Sequence, residues 1–276
     1  MPLHFGHKQN RWQLSTLLAS CPWLRLTSLP GLCQLLQRLG ISYQRGRDYV
    51  HSPDLHYQAK VDLLEQLRLR AVYAPDENVF LYLDEMSFYR QPSLSNAYEA
   101  QGGPQPLAYR SHCSNTAARI LAALNAVTGA VHYRQRAHID TVTLAAFWAD
   151  LRTAYPAANT IYVVIDNWPV HFHPDVLAPL VPQSLPFPPA LPANWPSQPQ
   201  RRSTAALFPI QLISLPTYAS WLNPIEKLWR WLRQEVLHLH RLADDWPGLK
   251  LAVSSFLDRF ALGSTTLLRY VGLLPD

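Results

Sequence analysis

Cysteine is scarce in this sequence of 276 residues, and the three cysteines present form no CxxC pair. Cys21, Cys33 and Cys113 lie far apart, so neither a disulfide framework nor a zinc site is predicted, and we expect all three to be small buried hydrophobes. The sequence also has no run of 18 apolar residues, which argues against a transmembrane helix. The amino terminus lacks the basic-then-apolar layout of a signal peptide. These absences predict an intracellular, cytoplasmic protein with no membrane partner.

Charge is also sparse, and its positive excess is confined to one region. Charged residues make up 16% of the chain and apolar residues 48%, so a sizeable core can be buried. Residues 1–60 contain seven basic and two acidic residues, which leaves seventeen of each sign in the remainder. The basic start favours contact with a polyanion such as DNA, and a basic face without a partner is the alternative.

Two helical patterns and a basic stretch occupy this first region. Apolar residues recur at helical spacing in WQLSTLLASC and again in LPGLCQLLQRLGI, where Gly40 is the expected helix stop. The basic stretch SYQRGRDYVHSPD can form a short hairpin. This order predicts a partial winged helix-turn-helix over residues 1–55, with a plain helical hairpin as the alternative. The predicted DNA contacts are Gln34, Gln37, Arg38, Arg45 and Arg47.

The remainder of the chain has the pattern of an α/β domain. A connecting helix is predicted over residues 56–74, the domain itself over 75–265, and a tail over 266–276. Its predicted order is β-β-β-α-β-α-β-α, a mixed sheet flanked by helices, with strands buried on both faces. The strands are predicted at 78–84, 118–135 (two strands turning at Thr128–Gly129), 160–166 and 212–216, and the main helices at 141–154 and 223–240. Ten prolines at about 174–210 predict a solvated loop inserted in this domain.

Two of the predicted strands, NVFLYLD and TIYVVID, end in aspartate, at Asp84 and Asp166. If the strands are parallel neighbours, both side chains lie at the carboxyl edge of the sheet, where α/β proteins bind ligands. Two carboxylates so close would repel unless a cation lay between them. Oxygen ligands without cysteine favour Mg²⁺ or Mn²⁺. A turn or helix cap is the alternative role for each aspartate taken alone.

A third carboxylate, Glu226, begins the most amphipathic helix of the chain. The segment Asn223-Pro224-Ile225-Glu226 also spells a capping box, with Asn223 as the N-cap. Glu226 shares one helix face with Arg230 and Arg233, so the three could bind a metal and phosphate together. An ordinary surface ion pair between Glu226 and Arg230 is the competing interpretation.

The segments LYLDEMSFY (81–89), VVIDNWPVH (163–171) and YASWLNPIEKLWRWLR (218–233) resemble the three acidic motifs of the IS630 group of insertion-sequence transposases. These are relatives of Tc1/mariner in the DDE superfamily, and the resemblance covers roughly residues 12–173 and 211–265. It implies that the α/β domain is RNase H-like. It also implies a metal-binding catalytic triad of Asp84, Asp166 and Glu226. Supporting or DNA-contacting positions are implied at Glu85, Asn167 and His171.

The same resemblance implies a DNA transposase that uses two Mg²⁺ or Mn²⁺ ions to cleave transposon ends and transfer the strands to a target. Its partners would be double-stranded DNA with terminal inverted repeats and TA target dinucleotides, and synapsis of two ends suggests a homodimer. The alternatives are an RNase H-like nuclease that does not join strands and a catalytically silent DNA-binding remnant. Family members usually carry a further amino-terminal helix-turn-helix, so a truncated copy or the downstream part of a longer, frameshifted product is expected.

Overall fold

A computed structural model describes residues 2–8, 11–43, 51–189, 191–200 and 207–275. The chain divides into two compact units, Met1–Val50 and His51–Asp276. Two of the predicted DNA contacts, Arg45 and Arg47, lie outside the described residues. Among the helices that are described, none combines the length and the apolar character needed to span a membrane.

The first unit contains the two helices that the sequence predicted. Helices α1 (Leu14–Ser20) and α2 (Leu29–Arg38) contact each other, as in a helix-turn-helix. The hydroxyl of Ser28 caps α2, and Gly40 follows the helix with φ at +69°, a conformation that glycine adopts without strain. The polar face of α2 is exposed, including Gln34, Gln37 and Arg38.

The second unit is built on a five-stranded sheet with the order β3-β2-β1-β4-β5. Strand β2 runs antiparallel to both β1 and β3, whereas β1, β4 and β5 are parallel to one another. This is the mixed sheet that the sequence predicted. The strands are β1 (Asn78–Tyr89), β2 (Ala117–Asn125), β3 (Val131–Arg136), β4 (Thr160–Ile165) and β5 (Ile210–Ser214).

In the described part of this unit there are six α-helices: α3 (Tyr57–Tyr73), α4 (Thr141–Ala154), α5 (Pro174–Leu177), α6 (Ile225–Leu232), α7 (Trp246–Asp258) and α8 (Thr265–Val271). The single helix predicted over 223–240 is wrong in its bounds, because α6 passes into a π-helix at Arg233–Leu237 and helical structure ends there. The proline-rich segment is not entirely loop, since it begins with the short helix α5.

Alternate residues of β1 pack on opposite sides of the sheet, as the strand geometry requires. On one side, Leu81 and Leu83 belong to a buried cluster with residues of α4. On the other side, Phe80 packs with α3, and Met86 packs with α6, α7 and α8. The sheet is therefore covered on both faces, and only its edges can present polar side chains to a ligand.

Two details differ from expectation in the outer parts of the structure. Cys21 is buried, but Cys113 is exposed, so the expectation of burial for all three cysteines is wrong. Cys113 lies in the described connection between β1 and β2, which contains no helix or strand of its own. At the other end of the chain, α8 buries Leu267, Leu268 and Val271, so the packed core extends beyond residue 265.

Candidate active site

The parallel register of β1 and β4 brings two aspartates together. The parallel ladder between these strands closes with Tyr82 beside Val164, and the same register two positions further places Asp84 beside Asp166. The prediction that β1 ends at Asp84 is wrong, because pairing with β2 continues the strand to Tyr89. Strand β4 does end before Asp166, so Asp84 lies at the point where β1 loses its parallel neighbour. This point is the carboxyl edge of the parallel strands, as predicted.

The Asp84 carboxylate is held by a tryptophan and surrounded by other acids. Its Oδ2 accepts a hydrogen bond of 2.9 Å from the indole Nε1 of Trp229 on α6. Burial, together with the carboxylates of Glu226 and Asp166, raises the pKa of Asp84 to about 7 in spite of this bond. All three acids therefore interact electrostatically at this edge, and the crowding of negative charge favours either a proton or a cation there.

The Asp166 carboxylate is held by donors instead. Its Oδ1 accepts the backbone N–H of Trp168 at 2.9 Å and lies 3.1 Å from Nε2 of His171. Burial alone would raise the pKa of Asp166, but His171 and the Trp168 N–H outweigh it and lower the pKa. Asp166 thus forms the local turn that was its alternative interpretation, and its side chain remains half exposed.

The three supporting positions have different surroundings. His171 is only 1% exposed, and its Nε2 also lies 3.6 Å from Oε1 of Glu85. Burial raises the pKa of Glu85 to about 7, although His171 opposes this. Among the described residues, neither His171 nitrogen nor Glu85 Oε1 has a well-directed hydrogen bond. Asn167 donates from Nδ2 to the carbonyl of Leu215 at 2.9 Å, which joins the turn after β4 to the chain after β5.

Glu226 does not form the capping box that the sequence suggested. Asn223 is not the N-cap, because its Nδ2 donates to the carbonyl oxygen of Leu83, at 3.2 Å, and Pro224 takes the cap position without a side-chain bond. Glu226 is exposed, and its carboxylate has no hydrogen bond to any residue described. Since capping is excluded, the carboxylate is available to a ligand.

The two arginines that share the α6 face with Glu226 are also exposed. In the described part of the chain, neither Arg230 nor Arg233 forms an ion pair or a hydrogen bond through its guanidinium group. The surface pair between Glu226 and Arg230, which was the competing interpretation, is therefore absent. Both guanidinium groups line the same surface as Glu226, and their donors have no partner among the residues described.

Three residues of this site were missed from the sequence. Trp229 was predicted only as part of the buried stripe of α6, yet its indole N–H holds Asp84. Arg119 on β2 lowers the pKa of Glu85, and the N–H of Trp168 holds Asp166. The available signal for Trp229 was a tryptophan on a buried stripe, where the polar N–H requires a partner.

The donor set of the site fits a hard divalent cation. Three carboxylates with no thiolate are suited to Mg²⁺ or Mn²⁺, and the buried, unbonded Glu85 Oε1 shows that negative charge here is incompletely satisfied. Within the ranges described, no three His, Cys, Asp or Glu side chains are already clustered closely enough to hold a metal ion.

Comparison with known proteins identifies the family of the chain. Residues 79–250, more than half of the chain, match the family model described as DDE superfamily endonuclease. The chain belongs to this family. The matched range includes Asp84, Asp166 and Glu226, and the resemblance to IS630 transposases is confirmed. This chain is 21% identical over 257 residues to a Shigella sonnei protein, the insertion element IS630 uncharacterized 39 kDa protein. The aligned region covers 90% of this chain and 65% of that relative.

Solved structures of the Mos1 transposase share the fold. The structure titled as a pre-cleavage Mos1 transpososome superimposes with a TM-score of 0.60 at 15% identity, covering 98% of this chain and 78% of that one. The Mos1 mariner paired end complex with Mn gives a TM-score of 0.58 at 16% identity, with the same coverage of both chains. The expectation of an RNase H-like sheet preceded by helix-turn-helix helices is confirmed.

Proposed function

We propose that this chain is a DNA transposase that cleaves strands at transposon ends and joins the freed 3′ ends to target DNA. Asp84, Asp166 and Glu226 would hold two Mg²⁺ or Mn²⁺ ions. The observation that supports the proposal is the register that places Asp84 beside Asp166 at the carboxyl edge of the parallel strands, with Glu226 of α6 near enough to raise the pKa of Asp84 as Asp166 does. Membership of the DDE endonuclease family supports it, as do Mos1 paired-end complexes that contain Mn or Mg.

The residues of the chain would position the reacting groups. Divalent ions at this edge would supply Lewis acidity toward the attacking and leaving oxygens. Trp229 fixes one oxygen of Asp84, while the Trp168 N–H and His171 orient Asp166. Cleavage by water leaves a 3′-hydroxyl and a 5′-phosphate, and strand transfer then exchanges one phosphodiester bond for another. No energy-rich cofactor is therefore required.

Binding of DNA would be shared along the chain. We assign DNA binding to residues 1–55, a connecting role to 56–74 and catalysis to 75–265. Double-stranded DNA with terminal inverted repeats is the proposed partner, with TA target sites, and two copies of the chain would bring two ends together. The basic charge excess of the first region and the exposed polar face of α2 support this assignment. The proposed contacts of the first region are Gln34, Gln37, Arg38, Arg45 and Arg47.

The proposal is tested by incubating the purified full chain with labelled DNA that carries the terminal repeats flanking its gene. In Mn²⁺ or Mg²⁺ we expect nicks at the repeat ends and labelled strand-transfer products in a supercoiled target, and chelation of the metal should abolish both. Nicks without joined products would indicate a hydrolytic nuclease. A chain that binds the repeats but neither nicks nor joins would contradict the proposal.

Loss of the indole donor to Asp84 should weaken catalysis without removing it. In Trp229→Phe the buried ring is retained, but Asp84 loses its 2.9 Å hydrogen bond. Residues that orient a metal ligand typically contribute about 10- to 100-fold, so we expect a fall of that size in the Mn²⁺-dependent nicking rate. Trp148→Phe is the matched control, because that buried indole donates to the Val176 carbonyl, away from the site. Equal losses in the two variants would contradict the positioning role.

A further inference from the structure

A groove of about 400 Å³ lies along the exposed side of α6, beside Glu226. Its lining combines a tryptophan ring with cationic and amide side chains. We call it the α6 groove, and its lining residues are Ser220, Trp221, Glu226, Arg230, Arg233, Gln234 and His238. Of these residues, only Glu226, Arg230 and Arg233 have a role in the proposed catalytic site.

The far wall of the α6 groove is shaped by the π-helix. The N–H of His238 donates to the carbonyl of Arg233, at 2.8 Å, which is the i→i+5 bond of a π-turn. Such turns are rare, and they occur frequently at functional sites because they redirect the side chains that follow. Ser93, just after β1, fixes the end of the turn through its Oγ, 2.9 Å from Nδ1 of His238. The wall is therefore also held by the chain segment that follows β1 and does not depend on α6 alone.

The charge in the α6 groove is suited to phosphate. Arg230 and Arg233 are unpaired within the described chain, whereas Arg134 and Arg259 each bind a carboxylate. Two like-charged guanidinium groups three residues apart on one helix repel each other. An anion between them relieves that repulsion, and the planar guanidinium matches phosphate oxygens in pairs.

The aromatic part of the α6 groove is suited to a nucleobase. Trp221 is 49% exposed, and it lies in the 3-10 turn Ser220–Leu222 that precedes α6. Tyr218, two residues before this turn, has φ at +55°, a conformation that is unfavourable for tyrosine. Indole faces bind unstacked bases without regard to sequence. The bases of an intact duplex are already stacked, so only an unpaired nucleotide can use this ring.

We propose that the α6 groove binds an unpaired nucleotide of the DNA strand next to the cleaved phosphate. The base would stack on Trp221, and the flanking phosphates would contact Arg230 and Arg233. This inference rests on the proposed function, because Glu226 lines the groove and belongs to the proposed catalytic triad. It adds that the DNA is locally opened at the site, so that the chain recognises a splayed end more tightly than a blunt one.

Equilibrium binding of the full chain without divalent metal tests this proposal. One fluorescent probe is a blunt duplex, and the other is the same duplex with unpaired nucleotides at one end. We expect Trp221→Ala to weaken binding of the splayed probe by about 5- to 150-fold and to leave the blunt probe nearly unchanged. Trp221→Phe should retain most of the preference. Tyr73→Ala removes another exposed ring, at the end of α3, and should affect neither probe.

Salt dependence tests the arginines separately. Arg233→Gln should reduce the slope of log affinity against log salt by about 0.7–0.9, the value of one lost phosphate contact. If Trp221→Ala loses affinity equally for both probes, or for neither, the groove proposal is overturned. Nicking by the wild-type chain would still support the proposed function in that case. Conversely, a selective effect of Trp221 in a chain that never nicks DNA would support the groove and refute the enzyme.

Discussion

Replacing Asp166 with Asn is expected to reduce Mn²⁺-dependent nicking by about 10³-fold, the equivalent of roughly 4 kcal/mol of transition-state stabilisation. The amide retains an oxygen that can accept the Trp168 N–H, so the turn after β4 should survive. It lacks the negative charge that a divalent ion requires from Asp166. Catalysis should therefore fail in a chain that is still folded, and the initial rate on labelled repeat ends measures the effect.

Glu77→Gln is the matched control for this experiment. Glu77 is exposed and directly precedes the first residue of β1, seven positions before Asp84. Glu77→Gln removes one negative charge, as Asp166→Asn does, so nonspecific charge effects on DNA binding should be equal in the two variants. Affinity for the repeat DNA should remain within about twofold of wild type in both, since phosphate contacts dominate it. Nicking by Asp166→Asn at the wild-type rate would remove the proposed metal site.

The largest expected effect on stability comes from a buried ion pair outside the active site. Lys60 on α3 and Asp54 are both almost fully buried, with Lys60 Nζ 2.8 Å from Asp54 Oδ2. Asp54 also accepts the backbone N–H groups of Thr217 and His56, each at 2.9 Å. Asp54→Ala should destabilise the chain by about 3–5 kcal/mol, because it leaves the ammonium buried and unpaired. Urea unfolding at neutral pH measures this change in the free energy of unfolding.

The same pair predicts how stability depends on pH. Burial alone would raise the pKa of Asp54, but the bonds from Lys60, Thr217 and His56 hold it well below its usual range. A group whose pKa is lowered by folding contributes fully above its unfolded pKa, about 3.9, and loses its contribution as the pH falls toward the folded pKa. The difference in stability between wild type and Asp54→Ala should therefore be constant above about pH 5 and shrink below about pH 4.

Glu65→Gln provides the comparison for an exposed pair. Glu65 binds Arg68 one turn along α3, at 2.8 Å, on the solvent side of the helix. Surface pairs of this kind contribute less than about 1 kcal/mol, so this variant should unfold close to wild type. A similar loss of stability in Glu65→Gln and Asp54→Ala would mean that burial does not increase the contribution of the Lys60–Asp54 pair to the free energy of unfolding.

Much of the fold was predictable because hydrophobic periodicity marks elements directly. Helix α4 has the predicted bounds, Thr141–Ala154, since Asp140 caps it and its buried residues recur at helical spacing. The length of β1 was not predictable from its apolar run. Beyond Asp84 the strand is held by pairing with β2, and such pairing depends on residues distant in sequence. The predicted end of the long helix, at residue 240, was wrong for the same reason. The turn at His238 is stabilised by Ser93, which is distant in sequence.

The candidate site was predictable where chain position alone determined it. Asp84 and Asp166 come near the ends of apolar strands, and parallel register brings such residues together. The role of Asn223 could not be read in this way, because a residue before a helix has good local reasons to be a cap. Its actual partner, the Leu83 carbonyl, lies 140 positions away. Tertiary contacts of this kind have no local signature, and they decide the surroundings of Glu226.

The bond from Asn223 to the Leu83 carbonyl has a consequence for how this protein can vary. It ties the start of α6 directly to β1, one residue before Asp84, and bypasses the proline-rich segment altogether. The separation between the first and third acidic residues therefore does not depend on how many residues connect β4 to β5. Insertions and deletions in the mostly exposed stretch 191–200 should be tolerated with the catalytic spacing intact. The ends of the segment should vary little, because Val176, Leu180 and Ile210 are buried in the core.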